Sequence, residues 1–383
     1  MVFLLHAGVF KTTVKFFQQK VYSPRIMLQV FYSLPVLLTL TNEALARDTS
    51  FFHIEKLSSN VYVFIPPRPM ADVVHGNCTV IIGNDGLLVV DTFGDHIIAG
   101  SAISEIKKIT PLPVKYILTT HWHYDHLGGN AIFKMNWPGA VLICHKDAMP
   151  DLQKRVIPNF QAEPQASLDI IADYTKAIET GKKDDSTYLS EYERNMRYPE
   201  TIKDLQYFVD HFSAEKFRYA SPGITFGDSL MIDLGSDTIK IFHPGWGHSP
   251  DDAMVFIPKQ KILITGDIVI GPVPYAFNTI QNDWIKILHN IAAMPDADII
   301  IPGHGEVMRD KKYITEMADL LENVTKKIKD CFDKGLTQQQ TFENMNVETY
   351  RKKFAGDDPV KNWAFENYFL KPRIRNYYRQ FKK

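Results

Sequence analysis

Cysteine is scarce in this chain of 383 residues, which holds 3. Cys78, Cys144 and Cys331 form an odd, scattered set, so neither a disulfide framework nor a cysteine-rich zinc site is encoded. A surplus of one charge is also missing. Lys and Arg total 43 against 44 Asp and Glu, for a formal net charge of -1. No basic field therefore argues for a nucleic-acid partner. The Gly-x-Ser-x-Gly elbow of serine hydrolases is absent. The longest apolar run, 26–40, is short for a membrane span and is broken by Pro35. Hydrophobic content of 45% and charged content of 23% are those of an ordinary globular protein.

That apolar run has a use at the N-terminus. Lys11, Lys15, Lys20 and Arg25 precede it, and Ala44-Leu45-Ala46 follows as a small-x-small cleavage pattern. Residues 1–46 are expected to be a signal peptide. Its removal takes away those four cations and Glu43 and leaves a net charge of -4. The expected address is periplasmic or secreted, with no stable membrane span after processing.

What is abundant is local. Three histidines and an aspartate crowd into residues 121–126, although the whole chain has 13 His. They follow an apolar, β-branched run at 114–118, bounded by Pro111 and Pro113, that reads as a buried strand. His121, His123, Asp125 and His126 thus leave a strand's C-terminal end, where open α/β layers place their chemistry. His with Asp suits zinc or another borderline first-row ion.

The remaining pattern repeats that arrangement. Strands are expected at 61–65 and 79–83, with an Asn84-Asp85-Gly86 turn leading into 87–91. Asp91, at a strand end, can orient a ligand histidine from behind. His75 and Asn77 stand before the hairpin as rim candidates. A helix begins at Gly94-Asp95, with Ile98, Ile103, Ile106 and Ile109 on one face. A strand at 139–144 leads to His145, which fits a core role better than a ligand role. Residues 147–221 are charged and weakly helical, a helical insertion. Strands return at 229–234, 238–242, 253–258 and 261–265, and a helix follows at 283–294. Between them lie His248 in a Gly/Pro-rich loop and Asp267 after a strand. A strand at 298–301 runs into Pro302-Gly303-His304-Gly305. Residues 311–383 form a helical C-terminal extension to a catalytic domain at 47–310.

Taken together, these motifs resemble those of the metallo-β-lactamase-fold hydrolase superfamily. The likeness rests on His-x-His-x-Asp-His at 121–126, Gly247-His248, Thr265-Gly266-Asp267 and Pro302-Gly303-His304-Gly305. It covers roughly residues 52–146 and 222–310. The resemblance implies an α/β protein built as a four-layer αββα sandwich. It implies that His121, His123 and His248 hold one zinc ion, that Asp125, His126 and His304 hold a second, and that Asp267 bridges them. A hydroxide shared by two such ions is a nucleophile near neutral pH, with Asp125 as the catalytic residue that orients it or shuttles its proton. Asp at 267 resembles glyoxalase II and the lactonases, whereas β-lactamases of the fold carry Cys or Ser there. His at 123 differs from the Glu of the flavodiiron proteins.

The resulting expectation is an exported, binuclear zinc-dependent hydrolase. Its small-molecule substrate is an ester, lactone, thioester or amide. Trp122, Tyr124, Trp246 and Tyr275 are expected to shape the substrate pocket. β-Lactam cleavage at the same site is one alternative, and an iron-containing redox or partner-binding member of the fold is another. A homo-oligomer is compatible with the sequence, and no nucleic-acid partner is expected.

Overall fold

The computed structural model describes residues 51–277 and 282–381, so the signal peptide expected at 1–46 lies outside the described residues. Short apolar runs separated by turns build two sheets. The first contains β1 (His53–Lys56), β2 (Val61–Ile65), β3 (Cys78–Ile82), β4 (Leu87–Val90), β5 (Val114–Leu118), β6 (Val141–His145) and β7 (Ile224–Phe226), in that spatial order. It is antiparallel from β1 to β4 and parallel from β4 to β7. The turn between β3 and β4 closes through Gly83 N–H donating to the Gly86 carbonyl at 2.9 Å.

The second sheet contains β8 (Ser229–Asp233), β9 (Thr238–Phe242), β10 (Met254–Ile257), β11 (Ile262–Ile270) and β12 (Ile299–His304). Its order is β12-β11-β10-β9-β8, with only β11 and β12 parallel. β11 is longer than the run at 261–265 suggests. Gly266, at φ +52°, breaks the register with β12 and lets pairing resume beyond Asp267. Asp267 therefore sits inside a bulged strand rather than after one, and a bulge re-aims a side chain in this way.

Alternation along the strands explains the layers. Val61, Val63, Ile65, Leu88, Val90 and Leu118 point inward and meet Ile239, Ile241, Val255, Ile262 and Ile264 of the other sheet. The alternate residues, Val80, Leu87, Val89 and Ile117, point outward. They pack under α1 (His96–Ile109), whose Ile98, Ala99, Ala102, Ile103 and Ile106 form the buried face. Asp95 caps α1 by accepting from the Ile97 and Ile98 amides, which satisfies orphan donors of the first turn. The short α2 (Tyr124–Leu127) and α3 (Asn130–Asn136) follow β5.

Between β6 and β7 the chain is helical, with α4 (Ile157–Thr180) and α5 (Tyr198–Asp210) as its main elements. This insertion seats Phe160, Phe208 and Phe217 on Trp122, Tyr124 and Leu127. On the far side, α6 (Asn282–Ala293) and α7 (Lys312–Asp333) cover the second sheet. Trp284, Ile287, Leu288, Leu320, Leu321 and Val324 pack with Leu263 and Ile300 there. The architecture is an αββα sandwich with helices continuing to Phe381. Full burial of each such aliphatic side chain contributes roughly 1.5–3 kcal/mol, so the layers hold the strand ends rigidly. Among the described residues, no helix is long and apolar enough to cross a membrane.

Candidate metal centre

Both sheets end on the same edge of the sandwich. From the first, the loop after β5 delivers His121 and His123, and α2 turns Asp125 and His126 toward the same point. From the second come His248 between β9 and β10, Asp267 in β11, and His304 at the end of β12. All seven are buried. They gather into two groups, His121/His123/His248/Asp267 and Asp125/His126/His304, with the ligand atoms of each within 4.8 Å of one another.

The two groups meet at one carboxylate. Asp267 Oδ2 lies 3.7 Å from His121 Nε2 and 3.6 Å from His248 Nε2. Asp267 Oδ1 lies 3.2 Å from His126 Nε2 and 3.3 Å from His304 Nε2. His248 Nε2 is 3.1 Å from His123 Nδ1, and His304 Nε2 is 3.1 Å from Asp125 Oδ2. A tetrahedral ion with bonds of 2.0–2.1 Å has ligand-to-ligand edges of about 3.3 Å, so these spacings suit metal coordination. His121 Nε2 is buried without a hydrogen-bond partner and faces the first group.

Electrostatics point the same way. Burial, with His248 next in importance, pushes the His123 imidazole down to about 3. Burial alone would also lower His304, but Asp267 and Asp125 outweigh it and raise His304 to about 9. Burial would raise the Asp125 carboxyl, and His126 and His304 reverse that and lower it strongly. Buried acids and imidazoles here compete for protons, and a bound cation takes the place of those protons.

A surrounding layer fixes the ligands. Asp91 accepts from the Thr120 amide, the Thr120 hydroxyl and His126 Nδ1–H, each at 2.8 Å. That bond leaves His126 Nε2 as the lone-pair nitrogen facing the cluster. Asp91 itself has a left-handed backbone, φ +61°. On the opposite sheet, Asp252 accepts from the Gly247 and Ser249 amides at 3.1 and 3.0 Å and so braces the turn carrying His248. Asp252 and its buried neighbour Asp251 escape sequence reading; the only hint is Ser249 followed two and three residues later by acids. Asn77 donates to the Pro302 and Gly305 carbonyls and locks the His304 loop. Glycine is required close by: a Cβ on Gly303 would lie 2.0 Å from Asp267 Oδ1, and one on Gly76 2.4 Å from His126 Cε1.

The aromatic residues divide. Trp122 and Tyr124, expected to shape a pocket, are instead buried in the cluster under the insertion. Trp122 packs its ring on that of His123 at 4.4 Å, and Tyr124, the first residue of α2, packs against Phe160 and Phe217 of the insertion. Trp246 is 40% exposed beside His248. The Tyr275 ring lies 5.3 Å from that of His304, and its hydroxyl donates to the Pro69 carbonyl. His145 stacks on His243 at 4.1 Å and belongs to neither ligand group. His75 accepts from the Gly94 amide at 3.2 Å and supports the rim.

Comparison with known proteins is consistent with this geometry. The model of the metallo-beta-lactamase superfamily matches residues 71–304. A linear primary-alkylsulfatase of Pseudomonas sp. (strain ATCC 19151) is 22% identical over 278 residues, covering 69% of this chain and 48% of its own. A metallo-beta-lactamase type 2 of Bacillus cereus is 22% identical over 294 residues, covering 74% of this chain and 88% of its own. Among solved structures, the stereoselective inverting sec-alkylsulfatase of Pseudomonas sp. superposes with a TM-score of 0.59 at 13% identity, over 86% of this chain and 50% of that one. A metallo-beta-lactamase family protein of Thermus thermophilus gives 0.53 at 18% identity, over 85% and 95%. The chain thus spans about half the length of the alkylsulfatases it matches.

Proposed function

The chain belongs to the metallo-beta-lactamase superfamily and is a metal-dependent hydrolase, and from that premise we propose that it holds two zinc ions and cleaves a small-molecule ester, lactone, thioester or amide. The observation that carries this reading is Asp267, whose two oxygens face one histidine group each. Five imidazoles with two carboxylates form a donor set suited to zinc. Held by these residues, zinc would lower the pKa of water from 15.7 to about 7 and would polarise a substrate oxygen.

The protein's own residues do the positioning. His121, His123 and His248 fix one side of the centre, and His126 and His304 the other. Asp91 holds His126 in one tautomer. Asp125 has a side-chain exposure of 11%, against 2% for Asp267. Of the two carboxylates it is the more exposed, and so it is the one assigned to orient the attacking hydroxide or carry its proton. Trp246, beside His248, and Tyr275, beside His304, are the substrate contacts.

Elemental analysis of the purified chain is expected to give about two zinc ions per molecule. Hydrolysis is then screened on nitrocefin, a lactone, a thioester, a nitrophenyl ester and a primary alkyl sulfate. The sulfate is included because a linear primary-alkylsulfatase aligns over 69% of the chain. Activity on at least one substrate, lost in His121→Ala and Asp125→Ala, supports the proposal. Iron as the dominant metal, or no hydrolysis of any member, overturns it. Export is proposed on the basic, apolar and small-x-small pattern of residues 1–46. N-terminal sequencing of the processed protein should start at Arg47, and retention of Met1 would exclude cleavage.

A further inference from the structure

The segment between β2 and β3, residues 66–77, is tied at both ends to different parts of the molecule. Its far end is bonded to loops of the metal centre. The Gly76 amide donates to the Asp125 carbonyl at 2.9 Å, and the Asn77 amide donates to the Gly303 carbonyl at 2.7 Å. Gly76 lies against the His126 ring. These contacts reach the loops of Asp125, His126 and His304, the second ligand group.

The middle of the segment is held from outside the sandwich. Asp72 Oδ1 accepts from Arg197 Nε at 3.0 Å, and Asp72 Oδ2 accepts from Arg197 Nη2 at 2.9 Å. The Thr201 hydroxyl donates to it at 2.9 Å and the Tyr368 hydroxyl at 3.1 Å. Arg197 and Thr201 belong to the insertion, while Tyr368 belongs to the C-terminal extension. The Arg197 guanidinium also lies 4.1 Å from the Trp363 ring centroid, again in the extension. The pair is largely buried, with side-chain exposures of 13% for Arg197 and 4% for Asp72. A buried pair survives only when its remaining hydrogen bonds are satisfied, and removing one partner leaves an uncompensated charge. Here two separate helical regions satisfy it.

We propose that the Asp72–Arg197 pair is a positioning device through which the insertion and the C-terminal extension set the geometry of the second metal group. The inference rests on the binuclear reading above. The segment acts as a strap: Asp72 is its outer anchor, and Gly76 and Asn77 are its inner ones. The first group hangs from other supports, the β5 exit and the Asp252-braced turn. Loosening the outer anchor therefore weakens the second ion and spares the first.

The test is zinc titration of the demetallated full-length protein against a chromophoric chelator, which resolves two successive dissociation constants. Asp72→Asn is expected to leave the constant of the first group unchanged and to weaken that of the second, identified as the one lost in His304→Ala, by about tenfold or more, the scale of an outer support to a metal ligand. Tyr368→Phe removes one donor to Asp72 without leaving a bare charge. It should move the second constant the same way by less, and it serves as the variant of record if Asp72→Asn does not fold. Arg68→Ala removes exposed pairs with Glu200 and Asp204 on the same strap and should change neither constant. Equal weakening of both constants, or of neither, overturns the inference while leaving the binuclear reading intact. A wild-type protein that takes up a single ion overturns both.

Discussion

The two sheets furnish the metal centre in different ways. The first contributes His121, His123, Asp125 and His126 from one strand exit and a four-residue helix. The second contributes His248, Asp267 and His304 from three separate positions along β9 to β12. One set is fixed by local backbone, the other by sheet register and a bulge. Yet each ligand group draws on both sheets, so the ions would join the two halves. Half of the site is a sequence motif and half is a tertiary structure.

Substitutions at the ligands themselves probe that contrast most strongly. The largest effect is expected for Asp267→Ala, which removes the carboxylate facing both groups. Loss of several kcal/mol of transition-state stabilisation corresponds to about 10³-fold in rate or more. Zinc content should fall below one per chain; retention of a full second ion would show that the groups are independent. His304→Ala should lose only the second ion and His121→Ala only the first, read by metal analysis after dialysis. If either variant loses both, the local and the tertiary halves are not separable.

Smaller effects are expected one layer out, each on a different ligand group. Asp91 follows β4 and holds His126 of the second group, so Asp91→Ala should weaken the second ion by about 10–100-fold. Asp252 sits on the second sheet and braces the turn of His248, so Asp252→Ala should weaken the first. Chelator competition distinguishes the two patterns, and an effect of Asp91→Ala on the first ion would contradict the pairing.

The smallest effect concerns pH. Burial, the largest cause, pushes the Asp252 carboxyl up to about 7 from 3.8. The folded chain then keeps a proton that the unfolded chain releases above about pH 4, so stability falls as pH rises through about pH 4–7. In the metal-free protein, the thermal midpoint of the wild type relative to Asp252→Asn should therefore drop between about pH 5 and pH 7.5. Asp252→Asn keeps an acceptor for the turn and should flatten that slope; an unchanged slope would assign the pH dependence elsewhere.

The local half was the more legible in sequence. His121 to His126 announce themselves by density, and the strands around them by short apolar runs between turn residues. His248, Asp267 and His304 were reachable because each follows such a run with Gly or Pro alongside. Three features were not legible. The bulge at Gly266 extends β11 past Asp267, and register cannot be read from one strand alone. Trp122 and Tyr124 stand between ligands in sequence but are buried under Phe160, Phe208 and Phe217 of the insertion, a covering that only the tertiary fold supplies. The Asp72–Arg197 pair joins residues 125 positions apart, and nothing in the charge pattern near either one singles it out.

For redirecting this catalyst to new substrates, the glycines at 76 and 303 set an asymmetry. The floor of the active site has no room for any added side chain, so randomising those codons would yield mostly misassembled centres. The rim is different: the exposed Trp246 can change without crowding a ligand. Diversity placed there would vary what the enzyme accepts and leave the chemistry beneath it unaltered.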